Sequence, residues 1–107
     1  MIIITAGLFH KKFAAMAIFP FIFIGKKTYK FNQSLINHEK IHLRQQVEMG
    51  VLPFYLWYGI EFIIHWVRIG DADAAYHQIS FEKEAYGNEL DLNYLRGRSF
   101  WCFLKYL

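Results

Sequence analysis

Apolar residues occur in short β-branched blocks near the N-terminus and in helical periods afterwards. Residues 1–5 are β-branched and predict a strand, which Ala6-Gly7 breaks. Residues 17–24, rich in Ile and Phe, predict a second strand, and Pro20 assigns it to an edge or a bulge. Gly25-Lys26-Lys27 can turn the chain into an alternating partner strand over residues 28–31. Asn32-Gln33-Ser34 offers an N-cap for a helix over about residues 35–49, which Gly50 ends. Pro53 fits the first turn of a second helix. From residue 54 to residue 69 that helix is apolar nearly all round, the mark of a buried or lipid-facing element. Gly70 to Asp73 is a break with a capping aspartate, followed by a helical turn over 74–78. Ser80 then caps a helix over about residues 81–96, stopped by Gly97, and residues 99–107 form a short aromatic tail on the core. The predicted class is α+β: a small antiparallel sheet or hairpin followed by three to four packed helices.

Plotted at about 100° per residue, the 35–49 helix has three sectors. Asn37, Lys40, Arg44 and Glu48 form a solvent face, and Ile36, Leu43 and Val47 a core stripe. His38 and His42 share an inward sector with Leu35 and Met49. In the 51–69 segment, Glu61, His65 and Arg68 make one polar stripe. In the 81–96 helix, Glu82, Tyr86, Glu89 and Asn93 share a face, flanked by Phe81, Ala85 and Leu92, while Glu84 falls opposite with Asn88 and Asp91 on a solvated side.

The chain has 107 residues, 55% of them apolar and 20% aromatic, which suits a single folded domain over residues 1–107 and excludes a disordered chain. The net charge of +3 comes from scattered basic residues with no clustered patch, so no nucleic-acid partner is expected. The lone cysteine, Cys102, excludes an intramolecular disulfide, fits a reducing, cytoplasmic compartment, and reads as a small core residue. Residues 13–25 follow Lys11-Lys12 like a signal segment, but Pro20 interrupts them, no small-residue cleavage site follows, and they are too short to span as a helix. Residues 51–69 are nearly long enough, but Glu61 lies near their centre. Peripheral membrane contact through 13–25 or 51–69 remains an alternative to burial.

Candidate chemistry centres on His38-Glu39-Lys40-Ile41-His42. Two histidines four apart put both rings on one helix face, and H-E-x-x-H supplies two metal ligands and a base. The outward side for Lys40 keeps its charge wet. A catalytic zinc takes three protein ligands and leaves one position open. Glu48 is rejected as the third, because it lies about 9 Å further along the helix than His42 and on the solvent face. The later glutamates are Glu61, Glu82, Glu84 and Glu89, and the wheel leaves Glu82 or Glu89. Glu61 or His65 could orient a metal-bound histidine from behind.

H-E-K-I-H followed downstream by Glu82-Lys83-Glu84-Ala85 resembles the gluzincin class of zinc metallopeptidases, which joins HExxH to an E-x-x-[Ser/Ala]-Asp on a second helix; the small size resembles the minigluzincins. The resemblance implies one zinc ion held by His38, His42 and Glu82, Glu39 as general base, and a peptide or protein substrate. It also implies an extended substrate paired to a strand ahead of the motif, either 19–24 or 28–31. Tyr86 stands where the class has its aspartate, and Glu89, one turn on, is the candidate for that role. Tyr76, His77 and Tyr94 are candidates for stabilising the oxyanion.

Two other readings compete. One is a catalytically silent zinc-binding interaction or regulatory protein of the same fold. The other is a metal-free, membrane-associated helical protein. A deformylase-like hydrolase fits less, since that class resembles this chain only in HExxH and carries its cysteine ligand ahead of the motif, whereas Cys102 trails it. His10, His65 and His77 read as ordinary residues and serve only as reserve ligands.

Overall fold

The computed structural model describes residues 2–5, 15–26, 29 and 31–107. Three strands, β1 (Ile2–Thr5), β2 (Ala15–Ile18) and β3 (Phe21–Ile24), form a sheet in the order β1-β3-β2. β1 pairs parallel with β3, and β2 pairs antiparallel with it. The architecture is α+β, with a mixed sheet rather than an antiparallel one. The predicted strand over 17–24 is two strands, joined at Phe19-Pro20. Proline has a fixed φ and no N–H to give a ladder, so it takes the turn rather than an edge or a bulge. Tyr29 and Phe31 lie in short helical turns, not in a strand; residues 28 and 30 of that prediction, and His10, fall outside the described residues.

Helix α1 (Gln33–Met49) begins at Asn32, whose side chain accepts the Leu35 N–H at 3.2 Å. It ends at Gly50, where φ is 88°, a value that disfavours any residue with a Cβ. There the chain bends by 111° into α2 (Val51–Ile69). Asp71 caps α3 (Ala72–Gln78), its carboxylate accepting from Ala74 N–H. Next come α4 (Ser80–Asn88), α5 (Tyr94–Gly97) and a C-terminal 3-10 helix, Cys102–Tyr106. Among the described residues no single helix is long and apolar enough to cross a membrane.

The core has two parts with α1 between them. Ala17, Ile22 and Ile24 of the sheet pack on Ile36 and Leu43 of α1. Phe54, Ile79, Phe81 and Phe103 make the second cluster, joining α2, α4 and the C-terminal 3-10 helix. Phe54, Phe81 and Phe103 are fully buried, each contributing roughly 1.5–3 kcal/mol of transfer free energy. Cys102 is buried beside them, as expected for a core residue.

Several polar residues lie where the wheel did not put them. Asn37 and Glu84 are buried, while Val47 of the predicted core stripe is exposed. The helix predicted over 81–96 stops at Asn88. The Asn37 amide donates to the backbone carbonyls of Glu89 at 2.9 Å and Asp91 at 3.0 Å, and so holds a turn in the place of continued helix. Glu84 receives both Nε and Nη2 of Arg98, the Tyr94 hydroxyl at 2.6 Å and the Gln45 amide at 2.9 Å. Arg98 also reaches Glu48 at 2.6 Å, so Glu48 is an ion-pair partner rather than a solvent residue. Burial opposes the charge on Glu84, but these hydrogen bonds outweigh it and hold its pKa below the ordinary carboxylate value.

Candidate metal centre

α1 presents His38 and His42 one turn apart, and α4 lays Glu82 across them. Glu82 Oε1 is 3.0 Å from His38 Nε2 and 3.0 Å from His42 Nε2, and the two Nε2 atoms are 3.2 Å apart. All three residues are buried, and together they form a group that could hold one metal ion. Ligand atoms at about 2.0–2.1 Å from a tetrahedral metal are roughly 3.3 Å apart, close to the sides of this triangle. Ala85, fully buried one turn beyond Glu82, leaves room for α4 to lie close to α1.

The far side of each ring decides which nitrogen is free. His42 Nδ1 lies 2.8 Å from Gln45 Oε1. The Gln45 NH2 group donates to Glu84 at 2.9 Å and to the Phe81 carbonyl at 3.3 Å, so its oxygen must face His42 as an acceptor. His42 Nδ1 is therefore the donor, and in the neutral ring Nε2 carries the lone pair. His38 Nδ1 lies 3.3 Å from Glu89 Oε1, a carboxylate oxygen that requires the same tautomer. Glu82 is oriented too, because its Oε2 accepts the Tyr58 hydroxyl at 2.6 Å and leaves Oε1 to the histidines. Two imidazole lone pairs and a carboxylate oxygen thus converge on one point, with hydrogen-bonded supports behind each. The donor set fits a divalent first-row metal ion.

Without a metal, a proton takes over part of that role. Burial lowers the pKa of His42, but the Glu82 charge and hydrogen bond outweigh this and push it up to about 9. Burial likewise raises Glu82, and the His42 charge with hydrogen bonds from His38, His42 and Tyr58 outweighs it and holds the carboxylate below its ordinary range. Glu39 differs. Burial raises its pKa more than the neighbouring histidines lower it, and its Oε2 is buried with no hydrogen-bond partner among the described residues. Glu39 lines the cleft beside the triangle.

The remaining predicted residues divide. Tyr76 lines the same cleft, its hydroxyl 3.2 Å from that of Tyr86, whose ring packs edge-on against His38. Burial raises the Tyr76 pKa, so the hydroxyl keeps its proton. Tyr86 gives His38 a ring contact, and Glu89 supplies the hydrogen bond. His77 is exposed, bonded to the Asp73 carbonyl at 2.9 Å and packed on Tyr86. Tyr94 is engaged with Glu84, away from the triangle. Glu61 accepts from Ser80 N–H at 2.9 Å, Ser80 Oγ at 2.5 Å and Trp57 Nε1 at 2.7 Å, and so caps α4 from α2. His65 lies 3.9 Å from Glu61. Neither residue is brought to the histidines. Gln45 and Tyr58 escaped the sequence reading. Gln45, three after His42 on one helix, was within reach of a spacing argument; Tyr58 is apolar-looking on an apolar helix and carried no signal. Comparison with protein-family models, curated proteins and solved structures finds no match.

Proposed function

We propose that this chain is a zinc-dependent hydrolase of peptide bonds, of the gluzincin kind its sequence resembles. The observation that carries this reading is the triangle of His38 Nε2, His42 Nε2 and Glu82 Oε1, with Glu39 Oε2 buried beside it and without a hydrogen-bond partner among the described residues. His38, His42 and Glu82 would hold the zinc ion, which would supply Lewis acidity toward a peptide carbonyl and toward water. Glu39 is the base. Its Oε2 takes a proton from the attacking water and returns it to the leaving amine, a task that suits a carboxylate with a raised pKa. Tyr76, protonated and lining the cleft, is the donor best placed for the carbonyl oxygen as it gains charge. Glu89 and Gln45 hold the two imidazoles in the required tautomer.

The test separates base from ligand. Glu39→Ala is expected to retain one zinc per chain and lose cleavage of a peptide library by at least about a hundredfold, the scale of a lost general base. Wild-type protein that holds stoichiometric zinc and cuts no peptide would point instead to the silent, metal-holding reading. Wild-type protein that holds no zinc after gentle purification would sink both.

A further inference from the structure

The cleft beside the triangle has two sides. A cavity of 370 Å³ lies between β2 and α2, walled by Ala17, Phe54, Tyr55 and Tyr58. A smaller one of 90 Å³ shares Ala15, Glu39 and Tyr76 with it and extends past His38 to Glu89. β2 runs in the same sense as α1: Ala15 lies by His38 and Glu39, while Ala17 and Phe19 lie by Gln46. A peptide crossing the triangle along β2 therefore travels toward Gln46 on the larger side.

That end of the strand is already occupied. Gln46 Oε1 accepts from Phe19 N–H at 2.7 Å, and Gln46 Nε2 donates to the Ala17 carbonyl at 2.7 Å. A residue in a parallel neighbouring strand would bond the same two groups, those on either side of Ile18. The Tyr55 hydroxyl donates to the Ala17 carbonyl as well. Gln46 is buried, and burial pushes the Tyr55 hydroxyl up to about 12, so it remains a donor. An added strand would have to break these bonds and leave buried amide groups unpaired, at about 1–3 kcal/mol for each group.

We propose that the substrate cleft is blind at the Gln46–Tyr55 end, and that the site takes short peptides or the terminal residues of longer ones, with an apolar or aromatic residue seated against Tyr58. An extended peptide meets β2 only at its Ala15 end. At 370 Å³ the cavity is at the small end of ligand pockets, roughly 300–1,000 Å³, and holds a residue or two rather than a continuing strand. The inference rests on the hydrolase reading for its chemistry but not for its geometry.

The experiment uses a ladder of synthetic peptides that share one phenylalanine and are lengthened from one end or the other. With the zinc-loaded protein, mass spectrometry is expected to show cleavage tolerant of lengthening at one end and reduced at least about tenfold, or about 1.4 kcal/mol, by lengthening at the other. The variants Gln46→Ala and Tyr55→Phe are expected to relieve that loss, each by itself, because each frees part of the Ala17–Phe19 edge. Equal tolerance at both ends, or cuts throughout the interior of an unfolded protein, overturns the blind end and leaves hydrolysis standing. If zinc is bound and nothing is cut, the hydrolase reading fails, and calorimetric binding of the same ladder to the metal-free protein judges the blind end separately. An affinity that falls about tenfold on lengthening at one end only supports it; symmetric binding, or none, overturns it.

Discussion

α1 and α2 follow one another through Gly50 and differ in how much they bury: nine residues of α1 against two of α2. α1 is the more polar helix, yet Asn37, His38, Glu39, His42, Gln45 and Gln46 are all inside. α2 is apolar nearly throughout, yet only Phe54 and Glu61 are buried, while Leu52 and Val67 are 83% and 81% exposed. Hydropathy therefore does not decide which helix is central. A buried polar group costs little once its partners are in place, and leaving one unpaired costs its full desolvation. The amides of α1 find partners on β2 and α4 and in the turn after α4. α2 lends the interior one edge, with its glutamate turned inward to cap α4.

The buried polar side depends most on Arg98. Arg98→Ala strands Glu84 and Glu48 as buried carboxylates, and urea unfolding should show a loss of about 3–5 kcal/mol. A loss within the error of a surface substitution would mean that the buried polar side does not hold the fold. Next in size is the metal. His38→Ala or Glu82→Ala should abolish stoichiometric zinc, whereas Glu89→Gln and Gln45→Leu should weaken zinc about 10–100-fold in chelator competition. Equal losses from all four would erase the difference between holding a metal and orienting what holds it.

Protonation makes a third test. In the metal-free protein His42 titrates near 9, against an ordinary 6.5 in the unfolded chain. Its proton therefore stabilises the fold fully below pH 6.5, and that contribution is lost as pH rises through about 9. Metal binding needs His42 deprotonated, so zinc affinity should rise with pH across the same window, by up to about tenfold per unit. A flat affinity there would break the link between the proton and the metal. The smallest effect is expected outside: Leu56→Gln and Val67→Gln on the exposed side of α2 should each change stability by no more than about 0.5 kcal/mol in the same urea measurement.

Local patterns carried much of this structure. The Asn32 cap, the Gly50 stop, the Asp71 cap and the inward sector of His38 and His42 follow from residue type and helical period. The misplaced polar residues share one cause. Asn37, Glu48 and Glu84 look solvated on a wheel because a wheel cannot show partners distant in sequence, and each has one: the turn after α4 for Asn37, Arg98 for the two glutamates. The 81–96 helix looked continuous because nothing local announces that Asn37 will take the carbonyls where it breaks.

By itself the amino-acid sequence determined an α+β chain with two histidines on one inward helix face, because four-residue spacing is a property of the helix alone. Tertiary structure decided the rest. It brought Glu82 Oε1, rather than Glu89, to both Nε2 atoms, and placed Glu89 behind His38 and Tyr58 behind Glu82. It turned Glu61 away to cap α4, and closed the end of β2 with Gln46. Those choices depend on how α4 and the sheet lie against α1, and distances between elements are set by packing, not by spacing along the chain.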